Sequence, residues 1–139
     1  MQRLANAIVS ISLLAGCASP KPEAAALIAS VERFHRASNG ERPARADAVA
    51  QVECHDPDVC AAKARCVEAT TATAGALRLK QEAETVLDEV EAAKRPPDDP
   101  ALRALPAKLD EASRLLKTGH EAMPSCDEKI LVLRERYGL

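Results

Sequence analysis

The densest group of side chains able to do chemistry is Cys54-His55-Asp56 with Cys60 and Cys66 close behind. Thiolates and an imidazole are zinc ligands, and four of them around one ion would make a tetrahedral site. The spacing argues for something else. Five residues separate Cys54 from Cys60 and five more separate Cys60 from Cys66, so there is no Cys-x-x-Cys pair. That absence counts against a zinc knuckle and a thioredoxin-like redox pair, and without Cys-x-x-Cys-His there is no covalent haem site. With Cys126 these residues make an even set of four, which in an oxidising compartment pairs into disulfides. A metal or redox protein using the Cys54–Cys66 region is the lesser alternative. Elsewhere, His35 and His120 sit beside apolar positions of helical segments, with no nucleophile in a recognisable arrangement. No Gly-x-Ser-x-Gly and no glycine-rich phosphate loop occurs. Glu82, Glu84, Asp88, Glu89 and Glu91 are interleaved with basic residues at the spacing of a solvated helix face. The expectation is a protein that is not an enzyme and carries no cofactor and no metal.

The elements that would position these groups are helices. Ala24, Leu27, Ile28, Val31 and Phe34 fall on one helical face, opposite Glu32, Arg33 and Arg36, and Asn39-Gly40 is read as the stop. Pro43 can open a shorter helix in which Ala46, Val49 and Ala50 share a face. Asp56-Pro57 is a start signal: a side chain able to accept from orphan N–H groups, then proline at the first helical position. From Asp58 to Lys94 there is no proline and a single glycine, Gly75. Leu79, Ala83, Val86, Val90 and Ala93 form a heptad seam there, continued proximally, after one phase slip, by Val59, Ala62, Cys66, Ala69, Thr73 and Ala76.

Arg95-Pro96-Pro97-Asp98-Asp99-Pro100 stops that run and turns the chain. Beyond it Leu102, Leu105, Leu109, Ala112, Leu116, Gly119, Met123, Cys126, Ile130, Leu133 and Tyr137 alternate spacings of three and four. Two long seams joined by a short turn predict an all-α fold: a long antiparallel helical hairpin with one or two N-terminal helices packed on it. Pro106, Gly119 and Pro124 disfavour an unbroken second arm, and Ser125-Cys126-Asp127-Glu128 has the form of a capping box. A break or kink at 119–125 is therefore expected, with a fresh helix to about Tyr137.

The hairpin makes a prediction about the cysteines. With the turn centred near residue 97 or 98, antiparallel partners have numbers totalling about 195. Cys66 with Cys126 totals 192, nearer than Cys60 or Cys54 with Cys126, and both Cys66 and Cys126 lie on the seams. Cys66–Cys126 should staple the two arms, leaving Cys54–Cys60 to close a small loop. The same register sets Gly119 opposite Gly75 or Ala76, where small residues would let the backbones approach.

Composition limits the partners. Phe34 and Tyr137 are the only aromatics, and Lys and Arg are spread along helical faces, so neither a base-stacking platform nor a basic block for nucleic acid exists. The apolar residues are largely alanine, so the core should be modest and the disulfides a large share of its stability.

The N-terminus supplies the compartment. Met1-Gln2-Arg3 is a minimal basic segment, and Leu4 to Ala15 is an apolar run too short to cross a bilayer, which takes about 20 residues. It ends in Leu14-Ala15-Gly16-Cys17, which resembles the lipobox of bacterial lipoproteins. The resemblance covers residues 1–17 only. It implies removal of 1–16, acylation of Cys17, a lipidated tether over 17–22 and a single helical domain over 23–139. Loss of Arg3 leaves 18 basic against 21 acidic residues. Ala18 and Ser19 do not supply the Asp that retains such lipoproteins in the inner membrane, which points to the periplasmic face of the outer membrane. The function expected is a non-catalytic structural or adaptor role in the cell envelope. The membrane is held through the lipid, and a protein partner or a second copy through helix faces. A periplasmic small-ligand-binding or sensor module is the alternative, for which an alanine-packed hairpin leaves little room.

Overall fold

The computed structural model describes residues 19–139. Among them the chain forms five helices and no strand: α1 (Lys21–Arg36), α2 (Arg42–Gln51), α3 (Pro57–Glu91), α4 (Pro100–Arg103) and α5 (Leu105–Tyr137). Helices α3 and α5 make the long antiparallel hairpin, each about 50 Å long at 1.5 Å per residue. Helices α1 and α2 pack on its proximal part, the end away from the turn, and so complete the all-α, disulfide-stapled fold that the two seams predict.

Each helix begins and ends for a local reason. Asp56 caps α3, its Oδ1 accepting from the N–H groups of Asp58 (3.0 Å) and Val59 (3.1 Å), with Pro57 in the first turn where no N–H is needed. At the far end α3 closes three residues short of Lys94. Ala93 turns into the left-handed region (φ 54°), the Lys94 N–H reaches Glu89 O (2.8 Å) and the Ala93 N–H reaches Val90 O (3.0 Å), a Schellman pattern. Helix α1 stops at Arg36, earlier than Asn39-Gly40. A reciprocal cap then leads into α2: the Ser38 N–H and hydroxyl donate to Glu41 Oε2 (3.1 and 2.7 Å), while Ser38 O accepts from the N–H groups of Glu41 and Arg42. These bonds, the hydroxyl's first, hold the Glu41 carboxyl below the ordinary carboxylate range. On α2, Ala46 and Val49 are buried but Ala50 is exposed, its place on the inner face taken by half-buried Ala48.

The break expected at 119–125 is absent. Helix α5 runs unbroken through Gly119 and Pro124, and Ser125 lies inside it without acting as a cap. Pro106 sits in the first turn of α5, where a missing N–H costs nothing. Pro124 is exposed, so the carbonyl it leaves unpaired on that face is near solvent. Packing of Gly119, Cys126, Ile130 and Leu133 against α3 and α1 outweighs the local preference.

The eleven-position seam of α5 also divides. Leu105, Gly119, Cys126 and Leu133, one heptad row, are buried and Ala112 is half-buried. In the parallel row, Ile130 is buried and Met123 and Tyr137 half-buried beneath α1, but Leu109 and Leu116 are 46% and 53% exposed. The core is accordingly in two pieces. The larger joins Leu27, Val31, Phe34, Val49, Val59, Cys66, Cys126 and Leu133, and the smaller, near the turn, holds Ala83, Val86 and Leu105.

Candidate functional site

The four cysteines are joined as Cys66–Cys126 and Cys54–Cys60, with Cα atoms 4.6 and 5.3 Å apart. Cys66 and Cys126 are fully buried between the arms, so this bond lies within the core. The sulfurs that could have served as metal ligands are thus already bonded to each other. His55 and Asp56, between the paired Cys54 and Cys60, are held by α1 instead. Glu23 Oε2 accepts from the N–H groups of His55 (2.7 Å) and Asp56 (3.2 Å), and Oε1 lies 2.9 Å from His55 Nδ1. The two backbone donors, followed by the ring, keep the Glu23 carboxyl below its ordinary range. One carboxylate therefore docks the disulfide loop onto the first turn of α1.

A second constellation forms where the C-terminal end of α1 and the start of α2 meet the middle of the hairpin. A cavity of about 190 Å³ is lined by Phe34, His35, Arg42, Thr73, Leu116, Gly119, His120 and Met123. At Gly119, one of these, α5 lies so near α3 that no side chain fits between them: a Cβ on it would lie 3.0 Å from the Thr73 nitrogen and 3.1 Å from the Ala69 oxygen. Gly119 thus faces Ala69 and Thr73, one helical turn from the Gly75 or Ala76 that a total of 195 implies. The register is the one Cys66–Cys126 sets. Gly75 lies against the end of the Leu115 side chain.

The Arg42 guanidinium lies over the Phe34 ring, 5.8 Å from its centroid. Its Nε is buried and has no acceptor, alone in this among buried side-chain nitrogens and oxygens of the described residues. Most other arginines of the chain face carboxylates: Arg36 and Arg134 meet Glu32, Arg78 meets Asp47, Arg95 meets Glu89 and Asp99, Arg114 meets Glu111, and Arg136 meets Asp58. No carboxylate lines the cavity. Asp127, outside that lining, bonds His35 Nε2 at 3.1 Å.

No family model, no curated protein and no solved structure matches the chain. Its chemistry is therefore a matter of its own geometry. Of the site residues expected from the sequence, Cys54, Cys60, Cys66 and Cys126 are brought into pairs, and Cys17 lies outside the described residues. His35 and His120, separately placed in sequence, come to one cavity, with Arg42 between them in the chain. Arg42 carried no sequence signal. It reads as one of many helical arginines until the fold withholds a carboxylate from it.

A third feature is the distal hairpin. The corner between α1 and α2 reaches Leu77, Lys80 and Glu84 on α3, where Asn39 and Gly40 border them, and Arg78 bonds Asp47 (2.9 Å). Beyond that corner α3 and α5 have only each other and the short α4. Leu87, two heptads past Thr73, is 47% exposed on α3, and on α5 Leu109 and Leu116 are exposed in the row that packs into the core at Met123, Ile130 and Tyr137, Leu116 at the edge of the cavity with α1 and α2. No helix among the described residues is long and apolar enough to cross a membrane.

Proposed function

We propose that the chain is a lipid-anchored envelope protein whose task is non-catalytic: the hairpin projects from the anchor and offers the bare face of its distal half to a partner helix. The observation that carries this reading is the exposure of Leu87 on α3 and of Leu109 and Leu116 on α5, the latter two in the row whose lower members Met123, Ile130 and Tyr137 pack into the core. Leucines at heptad spacing beside a packed seam are what a further helix, from another protein or a second copy, would bury. The anchor rests on the likeness of Leu14-Ala15-Gly16-Cys17 to a lipobox, and with several acyl chains on Cys17 attachment would be stable. An outer-membrane position is suggested by Ala18 and Ser19 after that cysteine.

Two measurements test the two halves of the proposal. Labelling with radioactive palmitate in a bacterial host should mark the protein, and Cys17→Ser should abolish the mark; labelling that survives would remove the anchor. A photo-crosslinking residue at 87, 109 or 116 should give a defined crosslinked species in envelope membranes, whereas one at exposed Ala50 should not. Equal crosslinking from all four positions, or none from the three leucines, would defeat the adaptor reading.

A further inference from the structure

We infer that the cavity between Phe34, Arg42 and Gly119 is a binding site for a small monocarboxylate with a short apolar body. Arg42 is the reason. The guanidinium stands at the wall of a cavity, its Nε is sealed without an acceptor and no carboxylate among the described residues pairs with it, so its terminal N–H groups are the donors left for an anion. Stacking on Phe34 holds the planar fork in place, so little of its freedom remains to be lost when an acceptor arrives. A planar fork matches a carboxylate, which takes two parallel N–H bonds from it.

The other walls choose the rest of the ligand. His35 and His120 also line the cavity. His35 is already bonded to Asp127, and the Thr73 hydroxyl is committed to Ala69 O (3.0 Å), which leaves Arg42, with its fixed positive charge, and His120 as the donors. Phe34, Leu116 and Met123 supply an apolar surface that a bare inorganic anion would not cover. A volume of about 190 Å³ is below the ~300 Å³ at which drug-sized ligands begin, so the body is a short alkyl chain or a single ring. Gly119 also lines the cavity, and a side chain on it would strike α3.

The test is a titration of the full chain, disulfides intact, followed by the Arg42 Nε–H resonance and the amide resonances of Thr73 and Gly119. Hexanoate and benzoate should give saturable shifts at these three groups. Hexanamide, the same shape without charge, and the Arg42→Gln variant titrated with hexanoate should each bind ~10- to 100-fold more weakly, the range for a hydrogen-bonded charged pair. Leu116→Trp alters an exposed position at the mouth and should block hexanoate while leaving the fold intact, which decides the matter if Arg42→Gln fails to fold. Shifts that do not saturate, an equal response to hexanamide or to chloride at matched ionic strength, or undiminished binding in either variant would overturn the site.

Discussion

At the scale of single residues, two glycines and one alanine separate what local preference asks from what contact allows. Gly75 and Gly119 both lie inside long helices, where alanine is favoured by about 1 kcal/mol. At Gly75 the added methyl would meet the movable end of Leu115 at 3.1 Å, so Gly75→Ala should be neutral or stabilising by up to ~1 kcal/mol. At Gly119 it would meet the backbone of Thr73 and Ala69, and Gly119→Ala should cost ~1–3 kcal/mol in denaturant titration despite the better helix former. Ala93 is the reverse case: held at φ 54°, it should gain about 1 kcal/mol on replacement by glycine, seen as a raised melting temperature. Glu23 sets a pH response. Its carboxyl titrates lower in the folded chain than its ordinary 4.5, so its contribution is present above that value and is lost as pH falls through the lowered one. Glu23→Gln should be less stable than the parent at neutral pH, and the two urea midpoints should converge as the solution is acidified below 4.5.

At the scale of elements, α5 shows how tertiary contact overrides local breakers. Pro124 forfeits one intrahelical bond, yet the turn beyond it carries Cys126, Ile130 and Leu133 into the core. Because its exposed side touches none of the core, Pro124→Ala should restore the bond and stabilise the chain by ~1–3 kcal/mol, with helical circular dichroism unchanged or slightly raised. A loss of stability instead would mean that the proline itself is needed for the α1 contact. Helix α3 needs no such rescue, since its Asp56-Pro57 start is written in residue types whose effect is local. The end at Ala93 is less legible, because alanine adopts the left-handed turn only when the hairpin requires the chain to reverse there.

At the scale of the whole molecule, stability is concentrated in one half. The larger core, both disulfides and the α1–α2 layer are proximal, and the smaller core near the turn holds only Ala83, Val86 and Leu105 as buried residues. By the chain-entropy estimate the Cys66–Cys126 bond contributes about 4 kcal/mol and Cys54–Cys60 about 2.5 kcal/mol. Cys66→Ala with Cys126→Ala should therefore lower the urea midpoint substantially more than Cys54→Ala with Cys60→Ala. Against a total that is typically ~5–15 kcal/mol, either loss is large. Leu87 and Leu109 stand exposed in the thin distal half and Leu116 at its border, so the part with least of its own core is the part proposed to gain from a partner.

Helix type, the hairpin and the pairing of all four cysteines were determined by sequence alone, through periodicity, the proline-rich turn and the arithmetic of an antiparallel register. These are properties of residue spacing, and spacing survives any rearrangement of neighbours. Three things were decided only by tertiary structure: the continuity of α5 through Pro124, the exposure of Leu109 and Leu116 on a seam that reads as uniform, and the isolation of Arg42 from every carboxylate along its cavity. Each depends on where α1 and α2 end against the hairpin, a length and placement that no single helix encodes.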